Sequence, residues 1–400
     1  MITALRVRDY RSFRGQLTIP MRRLTIALGR NNAAKTTALR LPLFINAAIA
    51  NSESGRALLP LKIRGMDFGA SIQDLVFQED AHGSFELGMS YSDRDNISAS
   101  IDFAVQLHES LRQESAFVSR FNAVPAMRHG ISWLQQQGTT SSIIYDDKEV
   151  IGFRGVVPLF ADARIADMDA LVNDFRRRLE HTCHITSVRQ QPLPVYELRS
   201  PLTLLSPTGE EVPFLLSQNP DVLASLAEWY HRGLGMDGLS VEHGTFSFRL
   251  TQRDARIQDR NLIYAGQGLQ QVLPVAAHMC AMKVGALDHD YLAIEEPELH
   301  LHPGAHGAIA DLAIEVLETS SAQLFIETHS EVLLLRLRRR VAEGRLSPHD
   351  LQFLWFDRRG DETTARPIEV NGDGSVSDWP SGVFAEDLDE VRGITRALRK

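Results

Sequence analysis

Apolar and polar residues alternate along the first 28 positions, with Leu5 and Val7, Leu17 and Ile19, then Leu24, Ile26 and Leu28 on the apolar side. A period of two predicts two or three strands. The period lengthens over Thr36–Ile49, an Ala- and Leu-rich stretch that reads as a helix. Residues 51–82 carry no dominant period. Strands return over Ser84–Tyr91 and Ile97–Val105, joined by the turn Asp93–Asn96. Polar helix formers then dominate Gln106–Arg120 and Ile165–Glu180, so residues 106–185 read as a mostly helical insertion with an exposed loop at Gln135–Ser142.

A second α/β pattern starts near Ile185. Helices are expected over Pro220–Gly233, Gly266–Met282 and Gly304–Thr319, and a strand pair over Leu239–Leu250. Short buried strands are expected at Tyr291–Ile294 and Gln323–Ile326. Strand, helix and strand at this spacing form a βαβ unit, which implies parallel pairing. Leu351–Phe356 and Thr363–Val370 form a late strand pair, Trp379-Pro380 packs a tail onto the body, and Glu386–Lys400 forms an amphipathic helix. The expected organisation is an N-terminal lobe over 1–105, the insertion over 106–185 and a C-terminal lobe over 186–400.

Composition narrows the picture. A chain of 400 residues, 44% of them hydrophobic, can bury a large core. A net charge of −9 disfavours non-specific nucleic-acid binding, although a local basic patch would still permit it. Two cysteines, Cys183 and Cys280, make no metal or disulfide framework and suit a reducing compartment. The first residues contain no apolar signal core, and no run reaches ~18 apolar residues. A cytoplasmic protein with no membrane span is expected.

The chemistry concentrates at two places. Gly29-Arg-Asn-Asn-Ala-Ala-Lys-Thr36 is a phosphate-binding loop, with Ala34 where the motif G-x-x-x-x-G-K-[ST] has glycine. Backbone N–H groups from Arg30 through Asn31, Asn32, Ala33 and Ala34 to Lys35 can face phosphate oxygens. Lys35 can reach the β and γ phosphates, and Thr36 can hold Mg²⁺. The strand before and the helix after are the right context. The second place is Tyr291-Leu-Ala-Ile-Glu-Glu-Pro-Glu-Leu-His-Leu-His-Pro303, an apolar strand ending in paired carboxylates. Neighbouring strand residues face opposite sides, so Glu295 can serve a metal and Glu296 can polarise water. Phe325-Ile-Glu-Thr-His-Ser330 ends the next strand, with His329 placed to contact a γ-phosphate and Thr328 and Ser330 to cap a helix. Gly266-Gln-Gly-Leu-Gln-Gln271 opens a helix and is a second anion-binding candidate.

Other clusters have blander readings. Glu298, His300, His302 and His306 lack clear metal-ligand spacing. The arginines at 176–178 fit a solvated helix face, and Arg336, Arg338, Arg339 and Arg340 fit ion pairs at a helix end.

Three stretches together, G-R-N-N-A-A-K-T-T at 29–37, I-E-E-P-E-L-H-L-H-P at 294–303 and E-T-H-S at 327–330, resemble the ABC-type ATPases of the RecF/SMC/OLD-like group. More narrowly, G-Q-G-L-Q-Q-V-L-P at 266–274, R-Q-Q-P-L-P-V-Y at 189–196, T-G-E-E-V-P-F-L-L at 208–216 and 378–390 resemble small AAA-type ATPases of bacterial anti-phage systems. The resemblance implies an α/β, ABC-type P-loop ATPase head with a mixed sheet, using ATP and Mg²⁺. Lys35, Thr36 and Thr37 would be loop ligands, Glu295 the Walker B acid, Glu296 the catalytic base and His329 the switch histidine. Leu299–His302 would cross a dimer interface, and Gly266 and Gly268 would meet the γ-phosphate bound by a second subunit. Gln73 or Gln78 would sense Mg²⁺. Gln267 and Gln270 depart from the signature, where an aromatic and a serine are expected.

Function follows as an expectation: an ATPase forming an ATP-sandwich homodimer or higher oligomer, regulating a separate effector such as a nuclease or toxin. A nucleotide-gated scaffold with little turnover is the alternative, and a DNA-repair ATPase at DNA ends is a third reading. An intrinsic nuclease is disfavoured, because only about seventy residues follow His329 and Asp387 and Asp389 form no metal cluster.

Overall fold

The computed structural model describes residues 1–50, 58–92, 98–110, 113–124, 131–134, 144–145, 148–160, 165–197, 206–245, 247–254, 257–377 and 379. The readings placed on Asp93–Asn96, Gln135–Ser142, Pro380 and the tail Glu386–Lys400 lie outside these residues.

The chain opens with β1 (Ile2–Tyr10) and β2 (Phe13–Pro20), an antiparallel pair, followed by β3 (Leu24–Gly29). Residues 30–34 connect β3 to α1 (Lys35–Ala50). Strands β4 (Ser84–Ser92), β5 (Ser98–Ser110), β6 (Gln113–Val124) and β7 (Ile131–Leu134) extend the first pair into an antiparallel sheet ordered β2-β1-β4-β5-β6-β7. A second sheet holds β8 (Thr182–Ile185), β9 (Tyr291–Glu295), β10 (Gln323–Glu327), β11 (Leu351–Arg359) and β12 (Glu362–Ile368). Its order is β8-β9-β10-β3-β11-β12. All its neighbours pair parallel except β12, which turns back on β11.

The second sheet is covered on both faces, which is why its strands are almost wholly apolar. Alternate residues feed two cores. Ala27, Ala293, Phe325, Leu354 and Phe356 pack with α1, α2 (Ile165–Glu180) and the antiparallel sheet. Ile26, Leu28, Ile294, Ile326 and Phe353 face the other way. There they meet α3 (Val212–Gln218), α4 (Pro220–Leu234), α5 (Gln267–Lys283), α6 (Pro303–Thr319) and α7 (Glu331–Ala342). Trp379 is partly buried against this second core. A small antiparallel sheet of Tyr196–Glu197, Ser240–His243, Ser247–Asp254 and Ile257–Asn261 stands beside it.

The expected mostly helical insertion is corrected. Gln106–Ser110 and Gln113–Arg120 are strand, and further strands run over Lys148–Arg154 and Val157–Phe160; among the described residues of this stretch, Ile165–Glu180 alone is helical. Polar helix formers are outweighed here because β6 pairs along its whole length with β5 and buries Val118, Phe121 and Ala123. Pairing with a preformed sheet edge overrides such weak propensities. The arginines of α2 sit on a structural face: Arg177 and Arg178 pair with Asp174, and Arg178 lies 3.9 Å over the Tyr91 ring. Among the described residues, no helix is long and apolar enough to cross a membrane.

Candidate functional site

The loop after β3 owes its shape to left-handed backbone. Asn32 has φ 63° and Ala34 has φ 61°, so position 34 does adopt the conformation that glycine usually supplies. Gly29 has φ 146°, and a Cβ there would stand 2.2 Å from the Phe356 carbonyl oxygen on β11, which makes glycine obligatory. Arg30, Asn31 and Asn32 are exposed, Ala33 is buried, and Thr37 is partly buried in the first turn of α1. Left-handed residues between right-handed ones turn successive N–H groups into one concavity, an anion nest.

Lys35 is 3% exposed and donates to the carbonyls of Gly29 at 3.1 Å and Arg30 at 2.9 Å. Its Nζ lies 3.7 Å from Glu327 Oε1. Burial lowers its pKa, partly offset by Glu327 and Glu296. One residue on, Thr36 Oγ1 donates to Glu327 Oε2 at 2.6 Å. Burial raises the Glu327 pKa, against the Thr36 hydrogen bond and the Lys35 charge. Glu327 had no role in the sequence reading, although it stands inside the quoted E-T-H-S stretch.

Three strand ends converge beside this loop. Glu295 on β9 pairs in register with Glu327 on β10, which pairs with Ala27 on β3. Glu296 follows with φ 41°, an uncommon backbone for a residue preceding proline, and its N–H donates to the Glu327 carbonyl at 2.8 Å. Its carboxylate lies 4.0 Å from His329 Nε2. Burial and then the Lys35 charge lower the His329 pKa, so the ring is neutral near pH 7. Glu298 accepts from Thr328 Oγ1 and from the His329 N–H, both at 2.7 Å, and so sets the backbone that carries His329. Ser330 caps α7 by accepting from the Leu333 N–H, as expected. Glu296, Glu327 and His329 each offer a ligand atom within 4.8 Å of the others.

Glu295 faces a different set of partners. Its Oε1 accepts from Arg40 Nε at 2.9 Å and Nη2 at 2.6 Å and meets His184 Nε2 at 2.8 Å. Its Oε2 accepts from the Ser187 N–H at 3.1 Å and hydroxyl at 3.4 Å. Burial alone would raise its pKa; the hydrogen bond and charge of His184, joined by Arg40, outweigh this and hold it at about 2. Burial in turn lowers the His184 pKa. Arg189, 5% exposed, donates to the carbonyls of Glu295 at 2.5 Å, Glu296 at 2.9 Å and Gln271 at 3.2 Å. It ties the carboxylate-bearing strand end to α5. Arg40, His184 and Arg189 were missed because single charged residues in an unaligned sequence give no sign of their partners.

At the start of α5, Gly266 and Gln267 are exposed. Gly268 answers a packing demand, since a Cβ there would come within 2.3 Å of the His300 carbonyl oxygen. The Leu299–His302 loop therefore lies against the opening of this helix. Gln270 turns inward and donates to the carbonyls of Ile263 and Ala265, both at 2.9 Å. Of the two glutamines, Gln73 donates to the Glu79 carbonyl and Gln78 to Asp361 at 3.3 Å; Gln78 also lines a cavity of about 350 Å³ with Arg11, Ser12, Arg358 and Asp361.

The cluster Glu298, His300, His302 and His306 does not converge on a metal. His302 accepts from the Gly304 N–H to cap α6, and His306 bonds Ser330 Oγ and the Leu301 carbonyl. The arginines of α7 are likewise taken: Arg336 and Arg340 pair with Asp311, Arg339 with Glu343, and Arg338 donates to the Gly374 carbonyl.

Comparison with known proteins agrees with this architecture. Residues 243–334 match the family model described as AAA ATPase domain. An SMC head solved bound to the C-winged helix domain of ScpA superposes with a TM-score of 0.51 at 11% identity, covering 93% of this chain and 98% of that one. The Pyrococcus furiosus Smc head domain with an extended coiled coil, solved with the C-terminal domain of ScpA, gives 0.50 at 11% identity, with 100% of both chains covered. No curated protein sequence matches. The fold is that of these SMC heads.

Proposed function

We propose that this chain binds ATP with Mg²⁺ and hydrolyses it between two copies of itself. The observation that carries this reading is the convergence of Lys35, Thr36, Glu296 and His329 at the ends of three parallel strands. The loop N–H groups and Lys35 bind the phosphates; bound Mg²⁺ would neutralise charge on the β and γ oxygens. Thr36 and the nearby carboxylates are hard oxygen donors that fit that ion. Glu296, half-buried and next to a neutral His329, polarises the attacking water, and His329 contacts the γ-phosphate. Gln78, which lines the cavity with Arg358, is the better candidate of the two glutamines to approach the nucleotide. The exposed Gly266 and Gln267 are free to meet a phosphate held by a second subunit.

Two observations favour slow turnover, the scaffold side of this reading. Ala34 strains the loop, and Gln270 is turned inward where the signature calls for a hydroxyl. Arginines already held in ion pairs on α7 argue against the DNA-end reading. Residues 208–216 and 266–274 resemble anti-phage ATPases, which supports a regulatory subunit working with a separate effector; the ScpA domains bound to both SMC heads illustrate how such a head can carry a partner. The test is binding of a fluorescent ATP analogue to wild type and to Lys35→Ala. Binding lost in the variant supports the site; equal binding places the nucleotide elsewhere.

A further inference from the structure

Glu295 and Glu327 stand in register at the ends of β9 and β10 but face different partners. We propose that Glu327, and not Glu295, is the carboxylate that holds the Mg²⁺ of the nucleotide together with Thr36; this rests on the ATP-binding reading above.

The argument begins with α1. Thr36 and Arg40 are one turn apart on this helix, so both face the same sheet. Glu327 sits on β10, directly beside the loop strand β3, and reaches Thr36. Glu295 sits one strand further out and reaches Arg40. The metal-side hydroxyl of the loop is thus already in contact with Glu327.

Saturation of Glu295 makes the same point from the other side. A carboxylate offers about four lone-pair sites. Three donors converge on Oε1 and two on Oε2 of Glu295. Turning either oxygen to a cation would strand the Arg40 guanidinium or the backbone of Ser187. Glu327 carries no such set. Its partners are Thr36 and Lys35, the two side chains that nucleotide and metal themselves engage. Its remaining neighbours, Glu296 and His329, bring ligand atoms within 4.8 Å. Glu295 is by this account a positioning residue that locks α1 to the sheet through Arg40. Glutamate at position 327 is legible in the sequence as a third carboxylate at the strand ends, one that the paired-acid motif leaves unassigned.

One alternative use of Glu327 makes a different prediction. A carboxylate resting on Lys35 and Thr36 could act as an internal stand-in for phosphate, competing with nucleotide. The discriminating experiment measures Mn²⁺ binding by loss of the free-ion EPR signal, with a non-hydrolysable ATP analogue present, in wild type, Glu327→Gln, Glu327→Asp and Glu295→Gln. Analogue affinity without metal is measured in parallel, and thermal unfolding checks folding. The account expects Glu327→Gln to weaken Mn²⁺ at least tenfold while metal-free analogue affinity stays within threefold. Glu327→Asp should fall between, and Glu295→Gln should unfold at lower temperature yet, where folded, retain Mn²⁺ within threefold. Mn²⁺ affinity unchanged in Glu327→Gln overturns the assignment, as does loss confined to Glu295→Gln. Tighter metal-free analogue binding by Glu327→Gln selects the competitor instead. Wild type that binds no analogue at all overturns the ATP reading, a result distinct from these.

Discussion

Ala34 shows what one methyl group does to a loop. Its φ of 61° is a left-handed conformation, which raises the energy of a non-glycine residue by about 1–2 kcal/mol. Ala34→Gly removes that strain but adds freedom to the unfolded chain, so the net gain is about 0.5 kcal/mol, with faster turnover. A lower urea midpoint or an unchanged kcat contradicts this. Glu295 is the opposite case, a residue whose role changes once its partners are seen. Glu295→Gln leaves Arg40 without its charge partner and destabilises by about 3 kcal/mol in urea unfolding; a loss under 1 kcal/mol contradicts a structural role. The Glu295 carboxyl falls from an ordinary 4.5 to about 2 on folding. Its stabilisation is therefore complete above pH 4.5 and is lost as pH falls toward 2. The phosphate loop, Glu296 and His329 were legible because each belongs to a short motif with fixed spacing. Arg40, His184 and Arg189 were not, because their partners lie more than 80 residues away in the chain.

At the level of elements, periodicity placed β3, α1, α4, α5, β9, α6 and β10 to within two residues, since each has one strong apolar pattern. It failed over Gln106–Arg120, where pairing partners rather than local preference decide. Arg189 is the link between elements that most affects chemistry. It joins the backbone of Glu295 and Glu296 to the Gln271 carbonyl on α5, so on the proposed reading the water-polarising Glu296 and the helix offered to a second subunit would move together. Arg189→Ala leaves three carbonyls without this donor and destabilises by about 3 kcal/mol. It should lower kcat more than it raises the Kd for ATP; an unaltered kcat in a folded variant contradicts the coupling. Helix α5 also carries His278, fully buried, with its pKa pushed down to about 4 by burial. Its ring is neutral when folded and titrates near 6.5 when unfolded, so its stabilisation is complete above pH 6.5 and is lost as pH falls toward 4. Each unit in that window removes about 1.4 kcal/mol at most. His289, lowered to about 3, adds a parallel loss. Urea midpoints at pH 7.5 and 5.5 should therefore show a smaller acid loss in His278→Asn than in wild type; equal losses contradict a buried neutral ring. Glu298 and Glu327, raised by burial, act in the opposite direction in both proteins and leave that difference intact.

At the scale of the whole molecule, a mostly parallel sheet between two cores brings the phosphate loop, Glu295, Glu296, Glu327 and His329 to its carboxyl edge, where open α/β sheets bind ligands. On the proposed reading, the exposed opening of α5 and the loop packed on it would meet a phosphate held by another copy, while Glu296 serves the phosphate of its own chain. The proposal therefore makes hydrolysis and self-association two readouts of one site. The most direct test compares wild type with Glu296→Gln for ATP turnover and for ATP-dependent self-association by sedimentation. The account predicts measurable turnover in wild type, loss of about a hundredfold or more in the variant, and a variant dimer that persists with ATP. Turnover unchanged by Glu296→Gln, or wild type that neither hydrolyses nor binds ATP, would contradict it.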